Sequence, residues 1–336
     1  MTGSYRAVEG ATLGAPDRYT IVTHERRLLH AGEVRLRVAA AGVSFVDVLI
    51  AGGGYQVKPA TPYVPGLECS GTVIEVAPDV AQVAVGDRVA ALAGMGGGYA
   101  EEIVLPVAAT IALPGSIDLA AAATAYVNYQ TAWHALVQRA RLQPGEAVLV
   151  LGGAGGVGAA TIEVARALGG RVIAAASSAE KRNYCRALGA EAVVGAPGDP
   201  DWRDAVKTAT GGRGADVIVD PVGAGATEPA FRSLAWNGRL LVIGFAGGDI
   251  ARLPTNLPLL KGASLVGVDL RQFRAREPDV AAANLAAIDT ALRDGRLTPR
   301  IDHAFPLDDF AAAMRTAVDR DHVGRVAIVI DTANQG

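Results

Sequence analysis

The sequence predicts an α/β protein of two domains: a doubly wound parallel sheet and a compact, mainly antiparallel β domain. Three observations predict it. The chain has 336 residues, half of them apolar, which is too long for one core when single cores stop growing near ~250 to 300 residues. Between residues 145 and 270 one theme repeats, a short run rich in Val, Ile or Leu, then a small residue, then a helical pattern. Before residue 120 the strands are short, alternating and interrupted by Gly and Pro clusters.

In chain order, VRLRVAAAGV and SGTVIEVA read as strands of the β domain, with turns at GGGY, PYVPG and VGDRV. The repeated runs are AVLVLG (147–152), RVIAAA (171–176), EAVVG (191–195), ADVIVD (215–220), RLLVIG (239–244) and ASLVGV (263–268). Continuous apolar strands separated by helices indicate a parallel sheet covered on both faces. After residue 270 come a helix over 281–294, a Pro-bearing loop, a helix near 308–319 and a last strand, RVAIVI. With no partner strand nearby, that strand is expected to pair in the amino-terminal domain. The expected domains are therefore 1–124 with 270–336, and 125–269.

The 31 basic and 34 acidic residues, net charge −3, are mixed along the chain. No like-charged stripe invites nucleic acid or an anionic membrane. The beginning MTGSYRAVEGATLG lacks a basic segment followed by an apolar run, and no stretch offers the ~20 apolar residues of a spanning helix. A cytoplasmic protein is expected. Cys69 and Cys185 fall in different expected domains, so both read as free thiols.

After the run AVLVLG stands GGAGGVGAATIEVARALG, with Gly153, Gly155 and Gly158 in dinucleotide-loop spacing. The spacing alone is weak in a chain with 41 glycines. Its position between a strand and a helix is the context in which backbone approaches a pyrophosphate and the helix start stabilises its charge. Gly153, Ala154, Gly155, Gly156, Val157 and Gly158 are the expected contacts. A phosphate-loop NTPase would need Gly-Lys-Ser/Thr where this loop has Gly158-Ala159. NAD binders place an acid at the end of the second strand; here that strand ends at Ala176, followed by Ser177, Ser178, Lys181 and Arg182. Hydroxyls and cations without a carboxylate favour NADPH. Alternatively, Ser177 caps the next helix and Lys181 and Arg182 form its solvated face.

GVSFVDVLIAGGGYQVKPATPYVPGLECSGTV, VGDRVAAL, GGYAEE, TAWHAL, VLVLGGAGGVG, SSAEKR and DPVG followed by GRLLVIGFAGG form an ordered set. Over nearly the full chain it resembles the zinc-free quinone oxidoreductase, zeta-crystallin-like branch of the medium-chain dehydrogenase/reductase superfamily. The resemblance implies a GroES-like domain completed by the carboxy-terminal segment, a Rossmann domain between, and an active site in the cleft. Zinc-dependent relatives hold a catalytic metal with Cys and His. By the resemblance those positions are Ser44, Leu67 and, near the third, Val127; Leu and Val cannot ligate. Glu68 then reads as structural, bonding across the cofactor cleft. The segment Ala90 to Glu101 has no cysteine for a structural zinc, and His24, His30, His134, His303 and His322 lack ligand spacing. They read as surface groups or as groups behind a site.

Without a Lewis acid, a conjugated acceptor that delocalises incoming charge is easier to reduce than a plain alcohol is to oxidise. Tyr55 matches the family's active-site tyrosine and is the first candidate donor to the carbonyl oxygen; a turn tyrosine also serves to cover apolar surface. Ser44 and Asp47 are expected at the floor of the site, the family often having asparagine in place of Ser44. Tyr129 and Thr131 match positions flanking the nicotinamide, or are core residues at a helix start. Gly223, Gly244 and Phe245, at strand ends, are expected to border the cofactor, with Arg325, Asn256 and Lys261 as further phosphate or ribose contacts. Loops 50–63, 94–98 and 246–274 are expected to shape the acceptor pocket. The resemblance also implies a homodimer through residues 263–268. Two other readings stay open: an enoyl reductase acting on an acyl thioester or alkenone, and a protein that holds NADPH without turnover.

Overall fold

A computed structural model of the chain describes residues 3–115 and 117–330. Residues 1–2, 116 and 331–336, which include both ends of the expected β domain, lie outside the described residues. The chain divides into two units, Met1–Val127 with Pro299–Gly336, and Asn128–Thr298.

The first unit opens with an antiparallel ribbon, β1 (Ser4–Glu9) and β2 (Thr20–Glu25). Then come β3 (Glu33–Val43), α1 (Phe45–Ala51), β4 (Glu68–Val76), β5 (Arg88–Leu92), β6 (Glu102–Pro106), β7 (Thr110–Ala112) and α2 (Leu119–Ala122). Alternating apolar side chains such as Leu36, Val38, Val73 and Val89 close its core.

α3 (Tyr126–His134), whose residues from Asn128 on belong to the second unit, continues as one turn of π-helix, Ala135–Arg139. The parallel strands are β8 (Ala147–Val150), β9 (Arg171–Ala175), β10 (Ala192–Val194), β11 (Ala215–Asp220), β12 (Leu234–Val242) and β13 (Ser264–Gly267). Between them run α4 (Gly156–Ala167), α5 (Ala179–Ala187), α6 (Trp202–Ala209), α7 (Thr227–Arg232) and α8 (Asn256–Lys261). Their order across the sheet is β10-β9-β8-β11-β12-β13, the doubly wound arrangement expected from the six apolar runs. The central strand β8 is buried at every position, which is why it reads as an uninterrupted apolar run.

After β13 come α9 (Leu270–Arg276) and α10 (Pro278–Arg293), then β14 (His303–Pro306), α11 (Phe310–Val318) and β15 (Val326–Val329). β15 pairs antiparallel with β3, Val326 opposite Val43, as expected of the last strand; it also pairs in parallel with β14, which the sequence had not suggested. The larger difference is the second boundary, at 298 rather than 270. Side chains explain it. Gln138 and Asn284 exchange amide hydrogen bonds at 2.9 and 3.0 Å, the buried His134 ring stacks on Phe273 with centroids 3.8 Å apart, and Arg139 Nε donates to the Gly267 carbonyl at 2.9 Å. These contacts tie α9 and α10 to the dinucleotide-type unit. They also move His134 from the surface to the interior.

Cys69 and Cys185 are free and buried. Among the described residues, no helix is long and apolar enough to cross a membrane, and no group of three or more His, Cys, Asp or Glu could hold a metal ion.

Candidate active site

The glycine loop joins β8 to α4, with Gly155 as the helix N-cap. Each glycine has its own steric reason. A Cβ on Gly158 would overlap the Gly152 carbonyl oxygen and stand 2.8 Å from Gly153 Cα, so this position fixes how closely the helix meets the strand. A Cβ on Gly153 would stand 2.9 Å from Cys185 Sγ. On Gly155 the nearest atom would be Gly152 O at 3.6 Å, and its backbone, φ −86° and ψ 172°, suits any residue. Nothing inside the protein requires glycine at 155. The space a Cβ would take there lies beside a helix start whose first N–H groups have no helical acceptor, the kind of place where a phosphate can approach backbone. The residues present fit a dinucleotide.

At the end of β9 the cap of α5 is Ser178, which accepts from Lys181 N at 3.2 Å. Ser177 was the expected cap; it is one residue too early and stays exposed. Arg182 folds back to donate to the carbonyls of Ala176 and Ser177 at 3.1 and 3.3 Å. Two hydroxyls and a held guanidinium thus gather at the strand end, and the strand's last residues contain no acid.

At the end of β11 the structure assigns importance to a residue the sequence reading passed over. Asp220, 1 % exposed, accepts from Val222 N and Gly223 N at 2.9 and 2.8 Å through one oxygen and from Thr227 Oγ1 at 2.6 Å through the other. Gly223 sits at φ 68°, and a Cβ there would stand 2.7 Å from Phe245 Cδ1. Gly223, Gly244 and Phe245 therefore meet where β11 and β12 end. An acid closing a buried apolar run before Pro-Val-Gly was the available signal, since Asp bonds backbone N–H groups two residues on. Lys261, expected to contact a phosphate, instead donates Nζ to the Leu234 carbonyl at 2.8 Å, which spends its charge on the fold. Asn256 is exposed at the start of α8.

Tyr129 was expected beside the nicotinamide or in the core, and the structure takes the second course. It is fully buried, and its hydroxyl donates to Glu163 Oε2 at 2.8 Å while Thr298 N donates to Oε1 at 3.1 Å. The reason is Glu163 itself. It lies on a helix stretch buried from Gly158 to Ala165, where an unpartnered carboxylate would be costly. Thr131 is also nearly buried, at 9 % exposure.

In the first unit, Ser44 and Asp47 form a capping box on α1. Asp47 accepts from Ser44 N at 2.9 Å, from Ser44 Oγ at 2.5 Å and, through its other oxygen, from Leu67 N at 2.8 Å. With both oxygens engaged and 2 % exposure, Asp47 positions the chain around Ser44 and Leu67; burial raises its proton affinity against those bonds. Tyr55 lies half-buried against the core, and its hydroxyl bonds no described residue. Glu68 accepts from Tyr126 N at 2.5 Å and Val127 N at 3.2 Å, the first N–H groups of α3. Burial pushes its pKa up to about 8, against those bonds and the charge of Arg325. Arg325 is thus placed inside this unit, 3 % exposed, its backbone N donating to Asp302 Oδ2 at 2.7 Å.

The chain matches two family models, the alcohol dehydrogenase GroES-like domain over residues 30–115 and the zinc-binding dehydrogenase domain over 156–287. Quinone oxidoreductase-like protein 2 of Bos taurus is 38 % identical over 326 residues, which is 97 % of this chain and 92 % of the relative. A mycobacterial protein solved as a complex with NADPH is 30 % identical with a TM-score of 0.88, covering 97 % of this chain and 99 % of that one. The CurK enoyl reductase structure is 26 % identical with a TM-score of 0.87 over the same shares.

Proposed function

We propose that this chain, which belongs to the quinone oxidoreductase branch of the medium-chain dehydrogenase/reductase superfamily, is an NADPH-dependent, zinc-independent reductase of conjugated carbonyl compounds such as quinones. The observation that carries the reading is the set of side chains at the three positions where zinc-dependent relatives have ligands. Ser44 has its hydroxyl committed to Asp47, and Leu67 and Val127 offer no donor atom. An acceptor that delocalises charge itself suits such a site.

NADPH, when bound, supplies a hydride from its nicotinamide. The chain's own residues do the rest. The Gly153–Gly158 loop and the start of α4 would hold the pyrophosphate, and Ser177, Ser178, Lys181 and Arg182 would receive the 2′-phosphate. Gly223, Gly244, Phe245 and Thr131 would border the nicotinamide. In the first unit, Ser44, braced by Asp47, and Tyr55, whose hydroxyl bonds no described residue, are the groups available to an acceptor, with Tyr55 as the donor to the oxygen that gains charge.

The test is NADPH oxidation by purified, chelator-treated protein with 1,4-benzoquinone, 9,10-phenanthrenequinone, crotonyl-CoA and an alkenone, with NADH in parallel. Quinone turnover that prefers NADPH and ignores chelator is expected. Tyr55→Phe is expected to lower kcat by ~10² or more, the usual loss of one oxyanion donor. The likeness to an enoyl reductase favours one second reading, reduction of an acyl thioester or alkenone, and preference for those acceptors would establish it. Silence across the panel would leave a non-catalytic NADPH binder.

The partner we propose is a second copy of the chain. β13 is the sheet's edge, with Leu265 exposed on it, and Leu259 and Trp236 nearby in sequence and sheet order are 81 % and 73 % exposed. An open edge with apolar neighbours calls for a covering strand, and two-fold pairing supplies it. Light scattering is expected to give twice the 34.3 kDa chain mass, falling to the chain mass in Leu265→Lys; a monomeric parent would end the proposal.

A further inference from the structure

The helix α9, LRQFRAR, carries three arginines in seven residues. Arg271 and Arg276 are exposed in the ordinary way. Arg274 is not. It lies one turn after Leu270 on the same helix face and directly follows Phe273, which is buried against His134. Arg274 is half-buried, yet its guanidinium has no hydrogen bond or ion pair with any described residue. Two other arginines drawn into the fold meet a carboxylate. Arg35 meets Glu75 at 2.7 Å and Arg239 meets Glu146 at 2.6 Å. At Arg274 burial depresses the proton affinity with no acid to offset it, and drawing a charge out of water unpartnered is unfavourable.

Its place in the sheet says which partner is missing. In doubly wound sheets ligands lie at the carboxyl ends of the strands. The 2′-phosphate residues follow β9, the pyrophosphate loop follows the next strand, β8, and Gly223 and Gly244 follow β11 and β12. One more step along the order is β13, and α9 begins three residues after it ends. A dinucleotide laid from β9 towards β12 directs its hydride-donating end to the β13 side, so α9 flanks the acceptor rather than the cofactor.

We propose that Arg274 is an anion subsite for the acceptor: the natural substrate is a conjugated carbonyl compound bearing a carboxylate, sulfonate-like or phosphate group, and Arg274 is its counter-ion. This rests on the NADPH-reductase reading above and deepens it by naming the substrate class. The arginine acts in binding, away from the bond that receives hydride, so it sets KM and leaves kcat alone.

Two matched pairs test it, 1,4-naphthoquinone against its 2-sulfonate, and crotonyl-CoA against crotonyl-pantetheine, separating an anion on the ring from a phosphate on a thioester handle. In Arg274→Gln the KM of the anionic member of one pair is expected to rise about tenfold or more, the scale of one lost charge-assisted bond, with kcat and the neutral member unchanged; Arg274→Lys is expected to recover part of the loss. A calorimetric titration with butyryl-CoA and with 2-naphthalenesulfonate reads binding without turnover and is expected to show the same loss. Equal effects on anionic and neutral members, or anion binding that Arg274→Gln leaves intact, would overturn the subsite. Neutral quinone turnover in that case would leave the reductase reading standing; no turnover of any acceptor would end the reductase reading, while the titration would still decide Arg274.

Discussion

Gly158→Ala is expected to lose both stability and NADPH binding, and Gly155→Ala to lose only the second. The two substitutions add the same methyl group three residues apart in one loop. At 158 the methyl overlaps the Gly152 carbonyl oxygen and crowds Gly153 Cα at 2.8 Å, and backbone cannot rotate aside as a side chain can. Overpacking of this kind costs ~1–3 kcal/mol and pushes α4 off β8, so the unfolding midpoint falls and the phosphate cradle distorts. At 155 the methyl meets nothing nearer than 3.6 Å, so the midpoint stays where it was. That methyl instead occupies the space a pyrophosphate needs, and displacement of bound groups by about an ångström is worth ~10²-fold. Fluorescence titration with NADPH and thermal unfolding of both variants check this. Parallel losses of stability in the two, or unaltered affinity in Gly155→Ala, would contradict the assignment of the loop.

The doubly wound sheet was legible because a strand buried on both faces has no polar face to confuse the pattern. All six apolar runs became β8 to β13; the reason holds for inner strands such as β8, buried throughout, whereas the edge strand β13 is largely exposed and was legible from its apolar run alone. The pairing of β15 with β3 was legible by exclusion. β14 was missed because four residues, HAFP, ending in proline carry no period of their own. The domain boundary was missed for a different reason. The buried positions of α10, such as Ala281, Asn284, Ile288 and Leu292, recur at helical spacing, but periodicity says only that a face is covered. Which unit covers it depends on Gln138, 146 residues away from Asn284.

The site divides along the same line. Gly158 is a local steric fact, set by Gly152 and Gly153 a few residues away, whereas nothing inside the protein requires glycine at 155. Tyr129, Lys261 and Arg325 were expected at the cofactor, and each lies against a group distant in sequence: Glu163, the Leu234 carbonyl and Glu68. A carboxylate within the apolar helix stretch AATIEVARAL was a visible sign that something had to face Glu163. The identity of its partner was not visible. Ser44 and Asp47 show an intermediate case, because the capping box spans only three residues and Ser-x-x-Asp before an apolar run is a local signal.

Asp220→Ala is expected to destabilise the protein by roughly 3 kcal/mol, the cost of leaving buried donors unsatisfied at ~1–3 kcal/mol each, and to weaken NADPH binding with it. Three donors lose their acceptor, Val222 N, Gly223 N and Thr227 Oγ1; the first two belong to the turn that carries Gly223 to its place against Phe245, and the third begins α7 behind it. Gly223 adopts φ 68° and ψ −145°, a region essentially confined to glycine, so the turn has no side chain of its own to restore it once the carboxylate is gone. Asp220→Asn separates hydrogen bonding from charge. Its carbonyl oxygen can take both N–H groups, and the Thr227 hydroxyl can rotate to accept from the amide, so most of the stability is expected to return. Denaturant unfolding and NADPH titration of both variants decide the matter. If Asn fails as badly as Ala, negative charge rather than bond count holds the turn; if Ala costs under about 1 kcal/mol, the β11 turn is not the support for the cofactor's far end that its geometry implies.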